Sequence, residues 1–204
     1  MKKKATLLSI ATLVVSMAST AGATVLDFEG LITSDSGPIP AGYGGFTWNS
    51  TYLLSDNSYT GAWGNTYGSP SGEYAAFSSG DDDGTRNKTV TSSVSFDFTG
   101  AYFTGWAEND LPMGSTAASL IINGYNGATL VDSTIFGLPT DAYSWVQVDF
   151  IGVTKLEFLT PEYPDYWLMD DFTYNESQIP EPTTLALMGI GLAGIGFARK
   201  KKQS

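Results

Sequence analysis

Between Val90 and Phe98 the chain alternates. Val90, Ser92, Val94, Phe96 and Phe98 fall on one side of an extended strand, and Thr91, Ser93, Ser95 and Asp97 on the other. A repeat of two buries one face of a β-strand and cannot build the apolar stripe of a helix. Short segments of this kind recur from Thr24 to Asn175, punctuated by glycine, proline and Asn126-Gly127, the last a hairpin signal. Strands are predicted at 24–29, 52–55, 73–77, 90–98, 101–107, 118–125, 128–136, 145–150, 153–158 and 166–174. That many strands imply two packed sheets. The expected fold is all-β, an antiparallel β-sandwich of jelly-roll type whose first and last strands lie side by side or close together. No repeat of about 40 residues supports a propeller. The glycine- and serine-rich stretches 34–45 and 55–72 are expected to gather as loops at the ends of the sandwich.

Composition removes much of the chemistry open to such a fold. With no cysteine and no histidine, disulfides, thiol nucleophiles, imidazole-based triads and the usual zinc sites are excluded. Carboxylates, oxygen-ligated cations such as calcium and recognition through aromatic rings remain. Seven of the ten basic residues sit at the two ends, and Thr24–Gln178 holds only Arg86, Lys88 and Lys155 against twenty acidic residues. Such a body repels nucleic acid and suits neutral sugars or cations, or solubility alone.

The ends read as addresses. Met1–Ala23 has three lysines, an apolar run and Ala21-Gly22-Ala23, the layout of a signal helix cut by signal peptidase after Ala23; an uncleaved anchor is the rival reading. After Ile179 come Pro180-Glu181-Pro182, an apolar helix predicted over 183–198, and Arg199-Lys200-Lys201-Lys202. Those sixteen residues would span about 24 Å as a helix, short for a hydrocarbon core of about 30 Å. The basic cluster keeps the terminus on the cytoplasmic side. The organisation is therefore a leader at 1–23, a β-sandwich domain at 24–176 and a C-terminal segment with a short transmembrane helix at 177–204.

This three-part ending resembles the PEP-CTERM sorting signal of Gram-negative bacteria, with Pro180, Glu181 and Pro182 as its motif residues. The resemblance implies recognition by exosortase, a membrane-embedded cysteine protease or transpeptidase, and an association with exopolysaccharide. The same tail is also labelled as the C-terminal domain of ice-binding proteins. Leu26-Asp27-Phe28-Glu29-Gly30 and Trp167-Leu168-Met169-Asp170-Asp171-Phe172 make the body similar to carbohydrate-binding jelly rolls, which implies a structural calcium between the first and last strands.

Alternation places Asp170 on the face of Leu168, Phe172 and Tyr174, and Asp171 on that of Met169 and Thr173. A carboxylate on an apolar face needs a cation or hydrogen-bond donors. A calcium held by Glu29 and Asp170 or Asp171 is one expectation, and carboxylates accepting backbone N–H groups the other. Asp81-Asp82-Asp83-Gly84 reads as a solvated turn or a weak calcium site, without the spacing of an EF-hand. Trp63 and Tyr67, in a glycine-rich loop, are candidates for stacking on sugars, whereas Trp106 and Tyr125 sit in strands and either line a groove or pack inward. No pair of carboxylates is marked out by spacing as the couple of a glycosidase.

The expectation for the whole chain is an exported, non-enzymatic surface or matrix protein. It starts as an inner-membrane-anchored precursor and is sorted by exosortase, and its body binds carbohydrate or exopolysaccharide. Two alternatives stand beside it: a structural surface or biofilm component without a small ligand, and a carboxylate-dependent glycoside hydrolase.

Overall fold

The computed structural model describes residues 22–49, 51–55, 68–78, 88–106, 116–161 and 166–176, without the side chains of Tyr52, Leu54 and Ser55. Most of the leader, the acidic turn at Asp81–Asp83, Trp63, Tyr67 and the whole tail with Pro180, Glu181 and Pro182 lie outside these residues. The fold is the expected antiparallel β-sandwich. Its strands are β1 (Thr24–Leu26), β2 (Ser36–Pro38), β3 (Thr47–Asn49), β4 (Thr51–Ser55), β5 (Tyr74–Ser78), β6 (Lys88–Gly105), β7 (Ser119–Asn126), β8 (Thr129–Gly137), β9 (Ser144–Leu159) and β10 (Trp167–Glu176). Their hydrogen-bonded order is β2-β4-β5-β10-β6-β9-β7-β8, with β1 on β10 and β3 on β6. First and last strands are thus neighbours, Thr24 opposite Tyr174, and the Asn126-Gly127 turn joins β7 to β8 as predicted.

Two pairs of predicted strands are single long strands. The segments 90–98 and 101–107 merge into β6 of 18 residues, and 145–150 and 153–158 into β9 of 16 residues. Each would run about 50 to 60 Å if straight, so each bends, and the bends are bulges. The β6–β9 ladder shifts register between Phe98 and Gly100, and β10 shifts against β6 between Asp170 and Thr173. Asp149 and Asp171 have φ of 56° and 51°. Bulges insert an odd residue and turn the strand over, so the inward face changes parity along each strand. In β6 it passes from Phe96 and Phe98 to Ala101 and Phe103, and in β10 from Trp167 and Met169 to Phe172 and Tyr174. The register shifts beside Gly100, Asp149 and Asp171 lie on the neighbouring strands β6, β9 and β10 and mark one crease across the sheet.

The parity change corrects two expectations. Asp170 does not share a face with Phe172 and Tyr174, because the bulge at Asp171 separates them. Val94, placed on the buried face with Val90 and Phe96, is 53% exposed, because β6 and β9 lose register between Thr91 and Phe96.

The core on the inner side is largely aromatic. Phe46 meets Phe96, Phe172 and Tyr174 edge-on at 4.9, 5.4 and 4.9 Å, and Phe98 stacks on Phe172 at 4.7 Å. Such pairs add about 0.5–1.5 kcal/mol each to the burial of their surface. A second, smaller cluster, Trp106 and Leu168 with Phe77, Tyr143 and Tyr166 packed against it, lies apart from this core.

Candidate functional site

The expected ligand residues of the first and last strands do converge, on one segment of backbone. Leu26 ends β1, Phe28 takes a φ of 59° and is buried, and its N–H donates to Tyr43 Oη at 3.1 Å. The kink turns Glu29 toward the segment before β5, where its Oε1 accepts the N–H groups of Glu73 and Tyr74 at 2.7 and 2.6 Å. From the other side Asp170 Oδ2 accepts the N–H and hydroxyl of Ser71 at 2.8 and 3.1 Å, and Oδ1 accepts the N–H of Asp171 at 2.7 Å. Gly72 fits between the two carboxylates only because it has no side chain: a Cβ there would lie 2.1 Å from Glu29 Cδ. Asp170 is fully buried, and burial pushes its carboxyl up to about 7, against the lowering effect of its N–H donors. Tyr43 is likewise raised, first by burial and then by the charges of Asp27, Asp170 and Glu29 around it. The partners of Glu29 and Asp170 in the structure are N–H and O–H donors, the chemistry of a hydrogen-bonded carboxylate. Among the described residues no group of three or more acidic side chains gathers as a metal cluster.

Next to this clamp lies a cleft of about 350 Å³, lined by Gly68, Pro70, Tyr102, Asp141, Ala142 and Tyr143. One wall, Gly68 and Pro70, leads directly into the Ser71–Tyr74 segment that Asp170 and Glu29 hold. The opposite wall, 138–143, is fixed where Pro139 O accepts Thr104 Oγ1 at 2.9 Å and Gly105 N–H at 2.8 Å. Tyr143 is rooted in the Trp106–Leu168 cluster. Both walls are therefore tied to the sheet.

Beyond Tyr102 the cleft opens onto an aromatic and polar stripe of β9. Trp145 meets the ring of Tyr102 edge-on at 5.3 Å, and its Nε1 donates to Gln147 Oε1 at 2.9 Å. The Gln147 amide in turn donates to Asp149 Oδ1. Trp145, Gln147 and Asp149 alternate with Val146, Val148 and Phe150, which pack against the core. The indole passes over Gly100, where a Cβ would lie 3.0 Å from Trp145 Cζ2 and 2.2 Å from Val146 O. A tryptophan 36% exposed, held by a neighbouring ring, an amide and a bare glycine, is a preorganised platform. Rings with nearby hydrogen-bonding groups can stack on an apolar ligand face and orient its polar groups.

The other aromatic candidates fare differently. Trp106 is 7% exposed and packs on Phe77 and Tyr166 at 5.5 and 5.9 Å, so of its two readings the inward one holds. Tyr125 is half-buried, with Lys155 Nζ 3.9 Å over its ring and its hydroxyl donating to Glu157 Oε2 at 2.9 Å. Tyr102, Tyr143, Trp145 and Gln147 were not singled out from the sequence as site residues. Their signal was present in Trp145-Val146-Gln147-Val148-Asp149-Phe150, an alternation whose outward half carries a ring, an amide and a carboxylate.

Fold and face together describe an antiparallel β-sandwich with a solvent-facing aromatic cleft. Residues 178–201 match the PEP-CTERM protein-sorting motif, which contains Pro180, Glu181 and Pro182. That motif implies an exported precursor processed at the membrane by exosortase. No curated protein matches it in sequence. Among solved structures it is similar to the K2 cleaved adhesin domain of Lys-gingipain, with 16% identity, 76% of this chain and 99% of that chain covered and a TM-score of 0.45. It is also similar to the CBM22-1–CBM22-2 tandem domain of Paenibacillus barcinonensis Xyn10C, with 12% identity, 82% and 49% coverage and a TM-score of 0.43. A third is the CBM22-1–GH10 part of Clostridium thermocellum endo-1,4-β-D-xylanase 10B complexed with xylohexaose, with 8% identity, 70% and 28% coverage and a TM-score of 0.35. The chain spans about half of the second and just over a quarter of the third.

Proposed function

We propose that the body is a non-enzymatic carbohydrate-binding module which, after exosortase sorting, holds the protein to exopolysaccharide at the cell surface or in the matrix. The observation that supports this most is the Tyr102–Trp145 pair beside the cleft, its indole laid over Gly100. The C–H faces of a pyranose carry partial positive charge and meet the negative faces of the rings, while Gln147 and the carboxylates accept its hydroxyls. An extended glycan can run from the cleft along the β9 stripe. The clamp formed by Glu29 and Asp170 keeps the cleft wall in place. A calcium ion at Glu29, Asp170 or Asp171, expected from the sequence, would act on the same segment.

The test is affinity electrophoresis and calorimetry of the full chain in a polyoxyethylene detergent, which carries no sugar, against xylan, β-glucan, chitin oligomers and the producing cell's own exopolysaccharide. Retention on at least one of them is expected, and Trp145→Ala should weaken it about two- to tenfold, since one ring-stacking contact is worth about 0.5–1.5 kcal/mol. No retention on any of them, or retention indifferent to Trp145, would refute the reading. Hydrolysis of a bound glycan, lost on replacing a cleft carboxylate, would favour the hydrolase alternative.

A further inference from the structure

The charges around the aromatic cleft narrow the class of sugar. Asp141 lies in the cleft lining with Tyr102 and Tyr143, and Asp149 ends the stripe that starts at Trp145; both acids are exposed. The described residues include two bases. Lys88 is buried at the start of β6, and Lys155 sits over Tyr125 in the part of β9 that pairs with β7. Neither reaches the cleft. Among the described residues, a glycan lying on this face therefore meets rings and carboxylates and no cation. Uronic acids would bring like charge against Asp141 and Asp149, with no arginine or lysine among the described residues to take them. An ammonium group gains twice, from the carboxylates and from the negative faces of Tyr102, Tyr143 and Trp145.

Resting on the carbohydrate reading above, we propose that the site selects glycans bearing free amino groups, polymers of glucosamine type, over neutral and uronic ones. The stripe has the extent for this. Trp145 and Asp149 are four residues apart on one face of β9, and the bulge between Gln147 and Phe150 shortens their separation to about 10 Å, so an amine about two sugar units from a stacked ring meets the second carboxylate. Polymer repetition supplies such amines at regular intervals. Asp141, Trp145 and Asp149 are exposed and the Tyr102 and Tyr143 rings half-buried, so the carboxylate contacts contribute modestly each and are weakened by salt.

The experiment is calorimetry of the full chain in a polyoxyethylene detergent at pH 6. The probes are hexamers of glucosamine, N-acetylglucosamine and galacturonate, with hexalysine as a charge control. The expected result at about 50 mM salt is glucosamine hexamer bound about three- to tenfold more tightly than its acetylated counterpart, with galacturonate weakest. The preference should shrink toward parity at about 0.5 M salt, and the ratio of the two affinities should fall at least about twofold in Asp141→Asn/Asp149→Asn, the rings keeping the remainder. Trp145→Ala should weaken both amino-sugar hexamers. Equal affinities at low salt, or a preference for the acetylated hexamer, overturn the amine selection and leave the carbohydrate reading standing. Hexalysine binding as tightly as glucosamine hexamer, with no effect of Trp145→Ala, overturns it in favour of a merely acidic surface. Failure of every sugar to bind overturns both.

Discussion

Asp170 makes the stability of the body depend on pH in a direction unusual for an aspartate. Its carboxyl is fully buried and raised to about 7 by burial, with the charge of Asp171 adding to the effect. A group whose folded-state pKa lies above its unfolded value contributes stability that is complete below the unfolded pKa and is lost as pH rises through the folded one. The window here runs from about 4 to about 7. A difference of about 3 in pKa amounts to on the order of 4 kcal/mol, spread at up to about 1.4 kcal/mol per pH unit. Asp170→Asn cannot ionise, but its amide keeps one acceptor oxygen where the carboxyl offers two to Ser71 and Asp171. That loss costs about 1–3 kcal/mol at every pH. Urea unfolding of the full chain, followed by tryptophan fluorescence from pH 5 to 8, should show the natural protein more stable at pH 5. The gap to Asp170→Asn should narrow or reverse by pH 8. Other carboxylates titrate in both proteins, so the difference between the curves isolates Asp170. Parallel curves across the range would show that Asp170 keeps one protonation state there, and the argument would fail.

Gly100→Ala should destabilise the β6–β9 pairing by about 2 kcal/mol or more and weaken sugar retention together, because its Cβ would press on Val146 O; a stable variant with intact binding contradicts the platform described. If hydrogen bonds alone satisfy Glu29 and Asp170, calcium and chelator leave the melting temperature within about 1 °C. A saturable rise with calcium would instead assign an ion to Glu29, Asp170 or Asp171. Replacing Pro180, Glu181 and Pro182 together by alanine should leave full-length, membrane-held protein in cell fractions, whereas unchanged release would break the link between motif and processing.

The sheet was legible where alternation ran unbroken, as in 145–150, and where a turn signal bounded the strands, as Asn126-Gly127 does between 119–126 and 129–137. It was misread at the crease, since a bulge residue such as Asp149 or Asp171 looks in sequence like any strand residue, and a parity change is indistinguishable from a strand end. Ser36-Gly37-Pro38 and Thr47-Trp48-Asn49 were missed as strands. The first has two residues that strands disfavour, and both are three residues long and exist because β4 and β6 provide partners. At the site, Glu29 and Asp170 were found because acids are rare beside apolar strand residues. Their common object, the Ser71–Tyr74 backbone, has no signature, because main-chain donors are the same at every residue. Trp145 was overlooked because attention fell on loop aromatics such as Trp63 and Tyr67, which lie outside the described residues.

The place of β10 bears on what happens once the tail is attached. β10 is flanked by β6 on one side and by β1 and β5 on the other, and the chain runs from its end at Glu176 toward the sorting motif. Ladder hydrogen bonds stand perpendicular to the strands. A pull along β10 therefore shears its bonds to β6, β1 and β5 together and does not peel them off one at a time. If glycan grips the β9 stripe while the tail stays fixed, flow drawing the two apart loads the sandwich in its mechanically stiffest direction, through a central strand.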